Sequence, residues 1–253
     1  MSGTVDITQD GGVLTLLMNR PDKKNALTDA MYGAMADAME RAESDAATRV
    51  VVIRGAGDLF CAGNDIGDFL QSSGRVGEAN VFRYIRLLGT FAKPLVAGVQ
   101  GHAVGIGTTM LLHSDYVVLA QDAKLSTPFA GLGLVPEAAS SLLLPATIGH
   151  QRAFAMLAMG ERMSAQDAQA AGLANSVVSN TDLDASVAAV ANRIAALPPG
   201  AIQATKALMR DPGLVAAKME AEIEIFAQRL QSDEAREAFT AFMEKREPDF
   251  TRF

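Results

Sequence analysis

Three short runs of almost unbroken apolar residues constrain this chain more than any other feature: Val50-Val51-Val52-Ile53, Leu95-Val96-Ala97-Gly98-Val99 and Tyr116-Val117-Val118-Leu119-Ala120. Runs of this length, rich in β-branched residues, mark strands buried on both faces, and such strands belong to parallel sheets covered by helices. Helical patterns lie between them. Leu27-Thr28-Asp29 opens an Ala- and Met-rich helix to about Ala42, with Met31, Met35 and Met39 on one face, and further helices are expected through Phe69 and over Phe82–Phe91. Strand and helix alternate, which predicts an α/β fold. Ahead of the first run, Val5–Thr8 and Val13–Met18 flank Asp10-Gly11-Gly12 and predict a hairpin. From Ala153 onward the chain reads as helical, with amphipathic stretches at 182–196, 200–210 and 214–245. Pro198-Pro199-Gly200 divides it into a core over 1–199 and a helical region over 200–253.

Charge and rare residues exclude several functions. A net charge of −7 disfavours a nucleic-acid surface, although helix starts and a few local cations can still hold an anionic ligand. Cys61 is the only cysteine, so no internal disulfide forms, and His102, His113 and His150 show no metal spacing. Neither metal nor cofactor is expected. The amino-terminal residues carry no secretory pattern and no apolar run reaches membrane-spanning length, so a cytoplasmic protein without a membrane partner is expected.

Three segments carry chemistry. Phe60-Cys61-Ala62-Gly63-Asn64-Asp65-Ile66 is a small-residue loop leading into a helix, and Gly101-His102-Ala103-Val104-Gly105-Ile106-Gly107 is a glycine turn leading into a helix through Leu112. Glycines let backbone approach a ligand, and a helix start leaves N–H groups free with partial positive charge. Two such starts facing each other form an oxyanion hole. Singly, either segment reads as an ordinary strand-to-helix turn. The third segment, Thr127 to Ser141, sets one carboxylate, Glu137, among apolar and small residues at the expected start of a helix. It reads either as a first-turn glutamate or as a buried acid tuned for proton transfer. Asp65 reads as a helix cap, and the methionine stripe and Cys61 as core.

Asn19-Arg20-Pro21, Asn25-Ala26-Leu27, the Ala-Gly-x-Asp loop and the glycine turn follow one another in an order that resembles the crotonase (enoyl-CoA hydratase/isomerase) superfamily. The resemblance covers nearly the whole chain. It implies a spiral of β-β-α units whose C-terminal helical region, over 200–253, serves oligomerisation and closes the CoA pocket, a homotrimer or dimer of trimers, and an acyl-CoA thioester as substrate. It places the oxyanion donors at the N–H groups of Asn64 and Ile106. Substrate contacts fall on Lys24, Ala26, Ala62, Gly63, Asn64, Asp65, Ile66, Val104, Gly105 and Phe129, and Lys24 and Lys245 are candidates for the CoA phosphates. Typical hydratases carry two glutamates at positions that here are Thr109 and Phe129. Pro136-Glu137-x-x-Ser140-Ser141 instead resembles the Δ3,Δ2-enoyl-CoA isomerases of the second, peroxisomal-like type, whose base occupies the position of Glu137. The expected activity is therefore conversion of a 3-enoyl-CoA to a trans-2-enoyl-CoA. An enoyl-CoA hydratase of fatty-acid degradation, or a broad hydratase/isomerase, using Glu137 alone, and a non-catalytic acyl-CoA-binding or scaffolding homologue are the rival readings.

Overall fold

The computed structural model describes residues 4–68 and 79–253. The three apolar runs form adjacent strands β3 (Val50–Gly55), β4 (Leu95–Val99) and β6 (Tyr116–Ala120). With the hairpin strands β1 (Thr4–Asp10) and β2 (Val13–Asn19) and a late strand β9 (Ser176–Val178), they build a six-stranded sheet in the order β1-β2-β3-β4-β6-β9. Only β1 is antiparallel to its neighbour; every other pairing is parallel.

Both faces of this sheet are covered. Val51 and Ile53 of β3 point to the side packed by α1 (Asp29–Ser44) and α2 (Asn80–Thr90), where Met31, Met35 and Met39 lie in the main core. Val50 and Val52 point the other way, onto Leu183, Val187 and Ala191 of a later helix over Leu183–Ala195. The period of two along β3 thus sorts its side chains between two cores. The helix expected through Phe69 runs into residues 69–78, outside the described residues.

The glycine turn differs from its expected form. His102–Val104 is a strand, β5, which pairs with β7 (Lys124–Ser126) in a second, three-stranded sheet completed by β8 (Met163–Ser164). The helix after it is α3 (Ile106–Thr109), one turn long, and a 3₁₀ turn over Met110–His113 takes it onward. Two large-sheet strands lead directly into small-sheet strands, β4 into β5 and β6 into β7, and these pairs with the helices after them form the β-β-α spiral.

From Ser140 onward the chain is mainly helical: α4 (Ser140–Ile148), α5 (His150–Leu157), α6 (Ala165–Ala170), α7 (Leu183–Ala195), α8 (Pro199–Met209), α9 (Pro212–Leu230) and α10 (Asp233–Glu244). The single stretch expected over 214–245 is two helices, broken at Gln231-Ser232, because the Ser232 side chain accepts the Ala235 N–H and starts α10 afresh. Val215, Met219 and Ile223 of α9 belong to the main core, while Phe226 and Phe239 join Phe129 and Leu134 in a smaller cluster.

Candidate active site

The loop over Phe60–Asp65 is fixed by backbone bonds on both of its sides. Ala62 N donates to Lys24 O at 3.0 Å, Leu27 N to Gly63 O at 2.8 Å and Asp65 N to Leu27 O at 2.8 Å. On the other side Cys61 N donates to His102 O at 3.1 Å and Val104 N to Cys61 O at 2.9 Å. Asn25 explains the early motif: wholly buried, it accepts from Arg20 N at 2.9 Å and donates to the carbonyls of Ala56 and Leu59, at 2.8 and 2.9 Å. Gly63 has φ +93°, and a Cβ there would lie 3.2 Å from Val104 O, so only glycine lets the two turns close on each other.

This zipper uses the neighbours of Asn64 and Ile106 and leaves their own N–H groups without an acceptor among the described residues. Ile106 is the first residue of α3, where an N–H has no partner within the helix. Its predecessor Gly105, at φ +56°, supplies the reversal that presents it. The Asn64 side chain is itself held, its Oδ1 accepting a short bond from the buried Tyr32 hydroxyl.

Both turns open on one apolar cavity of about 710 Å³. Of the residues picked from the sequence, Ala26, Ala62, Gly63, Asn64, Asp65, Ile66, Val104, Gly105, Ile106, Phe129 and Glu137 all line it. Lys24 does not: it takes a left-handed conformation at the end of the 3₁₀ turn over Pro21–Lys23, and the neighbouring Lys23 faces the cavity instead. Lys245 is an exposed cap at the end of α10. Phe226, Phe239, Phe242 and Met243, from the region over 200–253 expected to close the pocket, also line it, although none of the four was singled out in the sequence as a site residue.

Two carboxylates line the cavity among the described residues. Asp65 is paired with Arg20 at 2.7 Å and accepts the Asp68 N–H at 3.1 Å; the guanidinium bond holds its carboxyl below the usual range. It is a salt-bridged cap. Glu137 is 6% exposed and makes no ion pair among the described residues. Burial pushes its carboxyl up to about 8, against the hydrogen bond from Thr109 Oγ1 at 2.6 Å, while the charge of Glu222 pushes it further up. Glu137 does not begin a helix. It lies in an irregular segment, and α4 starts three residues later at Ser140. Thr109 is wholly buried, its hydroxyl spent on Glu137, and Phe129 forms part of the cavity wall. Cys61 is buried with its thiol pushed up to about 12, which leaves it inert.

A fold of this topology is met among enoyl-CoA hydratases and isomerases. Residues 8–252 match the family model described as Enoyl-CoA hydratase/isomerase, and the chain belongs to that family, in the crotonase superfamily. It is 35% identical over 248 residues to enoyl-CoA delta isomerase 2 of Rattus norvegicus, covering 95% of this chain and 63% of that enzyme's length. It is 32% identical over 251 residues to 1,2-epoxyphenylacetyl-CoA isomerase of Escherichia coli, covering 95% of each. The crystal structure of an enoyl-CoA hydratase/isomerase from Pseudoalteromonas atlantica superposes with a TM-score of 0.93 at 39% identity, over 98% of this chain and 99% of that one. Among the described residues no helix is long and apolar enough to cross a membrane.

Proposed function

We propose that this chain shifts the double bond of a 3-enoyl-CoA to give the trans-2-enoyl-CoA, with Glu137 as its single acid/base group. One observation carries the reading: of the two described carboxylates on the cavity wall, Asp65 is locked to Arg20, and Glu137 is buried and makes no ion pair among the described residues. The Glu137 carboxylate removes a proton from C2, the electron pair moves onto the thioester oxygen, and the N–H groups of Asn64 and Ile106 hold that oxyanion. The same carboxyl returns the proton at C4, and the double bond forms between C2 and C3. Oxyanion donors in comparable acyl chemistry contribute about 2.7–4 kcal/mol each. No oxidation state changes, so the reaction needs no redox cofactor, and the two N–H groups take the polarising role of a metal. Thr109 and Phe129, lacking a carboxylate, offer no second group to activate water. The similarity to the rat isomerase over 95% of this chain supports the same reading.

Incubation with a 3-enoyl-CoA is expected to produce the absorbance of a conjugated thioester. Consumption of a 2-enoyl-CoA with no action on the 3-enoyl ester would establish a hydratase instead, and binding without turnover of either a scaffold. We propose a homotrimer or dimer of trimers as the working form, because Leu208 and Met209 of α8 are 89% and 82% exposed. A monomer in sedimentation at micromolar concentration overturns that.

A further inference from the structure

Glu137 is followed by two residues that the backbone should avoid. Ala138 has φ +58° and Ala139 has φ +54°, successive left-handed conformations in side-chain-bearing residues, both buried. Such a pair persists only where surrounding groups impose it. Here two side chains from elsewhere in the fold do so. Glu222, on α9, accepts the Ala139 N–H at 2.6 Å through Oε2, and through Oε1 the Ser141 N–H at 2.9 Å and the Ser141 hydroxyl at 2.5 Å. His113, just beyond the 106–109 turn, places Nε2 2.7 Å from Ala138 O. The His113 ring is neutral, pushed down to about 3 by burial and by the nearby Arg210, whose guanidinium donates to Nδ1 at 3.1 Å. Nε2 is therefore the N–H that donates to Ala138 O.

Glu222 is 5% exposed and makes no ion pair among the described residues; its partners are N–H and O–H donors at the start of α4. Ala139, the residue before α4, has no side chain that could cap it. Glu222 supplies that cap from another helix, and both carboxylate oxygens are in use. An amide of the same size presents one acceptor oxygen and an NH₂ group, and the NH₂ would meet a donor.

We propose that Glu222 is a positioning residue for the reaction: by capping the Ala139–Ser141 turn, it fixes the direction in which Glu137 enters the cavity. The inference rests on the reading of Glu137 as the base. Burial pushes the Glu222 carboxyl up, against its hydrogen bonds from Ser141 and Ala139, and in its ionised form Glu222 also acts through its charge. Of the titratable groups around Glu137, Tyr32 on α1, Tyr84 on α2 and Cys61 in the loop are pushed up by burial and stay neutral, and His113 is neutral as described. Glu222 is the one whose charge raises Glu137.

The test compares Glu222→Gln, Glu222→Asp, and Glu222→Gln with Ala139→Gly. Glu222→Gln is expected to lower kcat by about 10–100-fold, the scale of a misplaced group, with KM for the thioester within about twofold. The alkaline-rising limb of its kcat profile should move to lower pH. Glu222→Asp keeps the charge and cannot span both donors, so kcat should fall with the limb unmoved. Glycine at 139 adopts the left-handed conformation without strain and should restore most of kcat to Glu222→Gln. If Glu222→Gln lowers the melting temperature while kcat and the pH limb stay at wild-type values, Glu222 is merely structural and the proposal fails. Where Glu222→Gln does not fold, unchanged kcat in Glu222→Asp overturns it. Glu137→Gln separates the two levels. If that variant turns over normally the base assignment fails, whereas a dead Glu137→Gln beside a normal Glu222→Gln sinks the positioning role alone.

Discussion

The two halves of the candidate site are held by different means. The loop over Phe60–Asp65 is tied down by main-chain bonds to Lys24–Leu27 on one side and His102–Val104 on the other. The Glu137 segment belongs to no strand or helix, and three side chains hold it: Thr109, His113 and Glu222. The loop that in the proposed reaction faces the developing charge is supported mainly by backbone bonds, which side-chain replacement leaves in place. Glu137, the proton carrier of the proposed reaction, is supported by side chains, of which Thr109 and Glu222 also set its acidity. The first half should therefore tolerate side-chain changes that spare its glycines, and the second should not.

The largest break is expected from Glu137→Gln. Steady-state assays should show turnover down by about 10²–10⁴-fold, the usual scale of losing a general base, with thioester binding retained. The same variant should be the more stable protein at alkaline pH. A carboxyl raised to about 8 by folding, from 4.5, binds its proton more tightly in the folded state. Wild-type stability then declines as pH rises through the interval between those values, and the glutamine escapes the decline. Thermal unfolding at pH 5 and pH 8 should show the gain of Glu137→Gln growing with pH; a constant gap would contradict the raised pKa.

Next in size is Gly63→Ala, which attacks the backbone-held half where it is vulnerable. The left-handed φ and the nearby Val104 O predict a loss of about 1–3 kcal/mol in unfolding free energy. An alanine variant as stable as wild type would show that the loop can re-route. Thr109→Val removes the hydrogen bond that favours ionised Glu137, so the rising limb of the pH–rate profile should move to higher pH. At neutral pH turnover should fall about fivefold, the equivalent of about 1 kcal/mol for one hydrogen bond, and it should recover towards pH 9. The smallest effect belongs to Cys61→Ala. Its thiol sits in the loop, yet the backbone carries the bonds, so turnover should stay within about twofold and stability within about 1–2 kcal/mol. A larger loss of turnover would mean the loop depends on its side chains after all.

The backbone-held half was also the half that could be read from sequence. Glycines at 63, 101 and 105, and apolar runs at β3, β4 and β6, state local requirements that adjacent residues reveal. Four strands of two or three residues, β5, β7, β8 and β9, went unseen because they are too short to show a period. Glu137 was legible as an acid among apolar residues, whereas its two left-handed successors were not, since alanine gives no hint of positive φ. Glu222 is 83 residues away from the backbone N–H of Ala139 that it caps, and local pattern cannot pair them. A clue did exist. Met219, Glu222, Ile223 and Phe226 share one buried face of α9, and an acid on an apolar stripe needs buried donors. Lys23 and Lys24 were indistinguishable in sequence; the left-handed turn at Lys24 decides which one faces the cavity.

The contribution of α9 and α10 to the cavity sets an order in time. A chain made from its amino end presents Lys24–Leu27, Phe60–Asp65 and His102–Val104 early, and these can zip together while synthesis continues. Glu222, Phe226 and Phe239 emerge last, and until they do the turn after Glu137 lacks its cap and the cavity lacks a wall. If the proposed roles hold, the loop that receives the oxyanion is in place before Glu137 is aimed, and activity towards thioesters is expected only once the final helices dock.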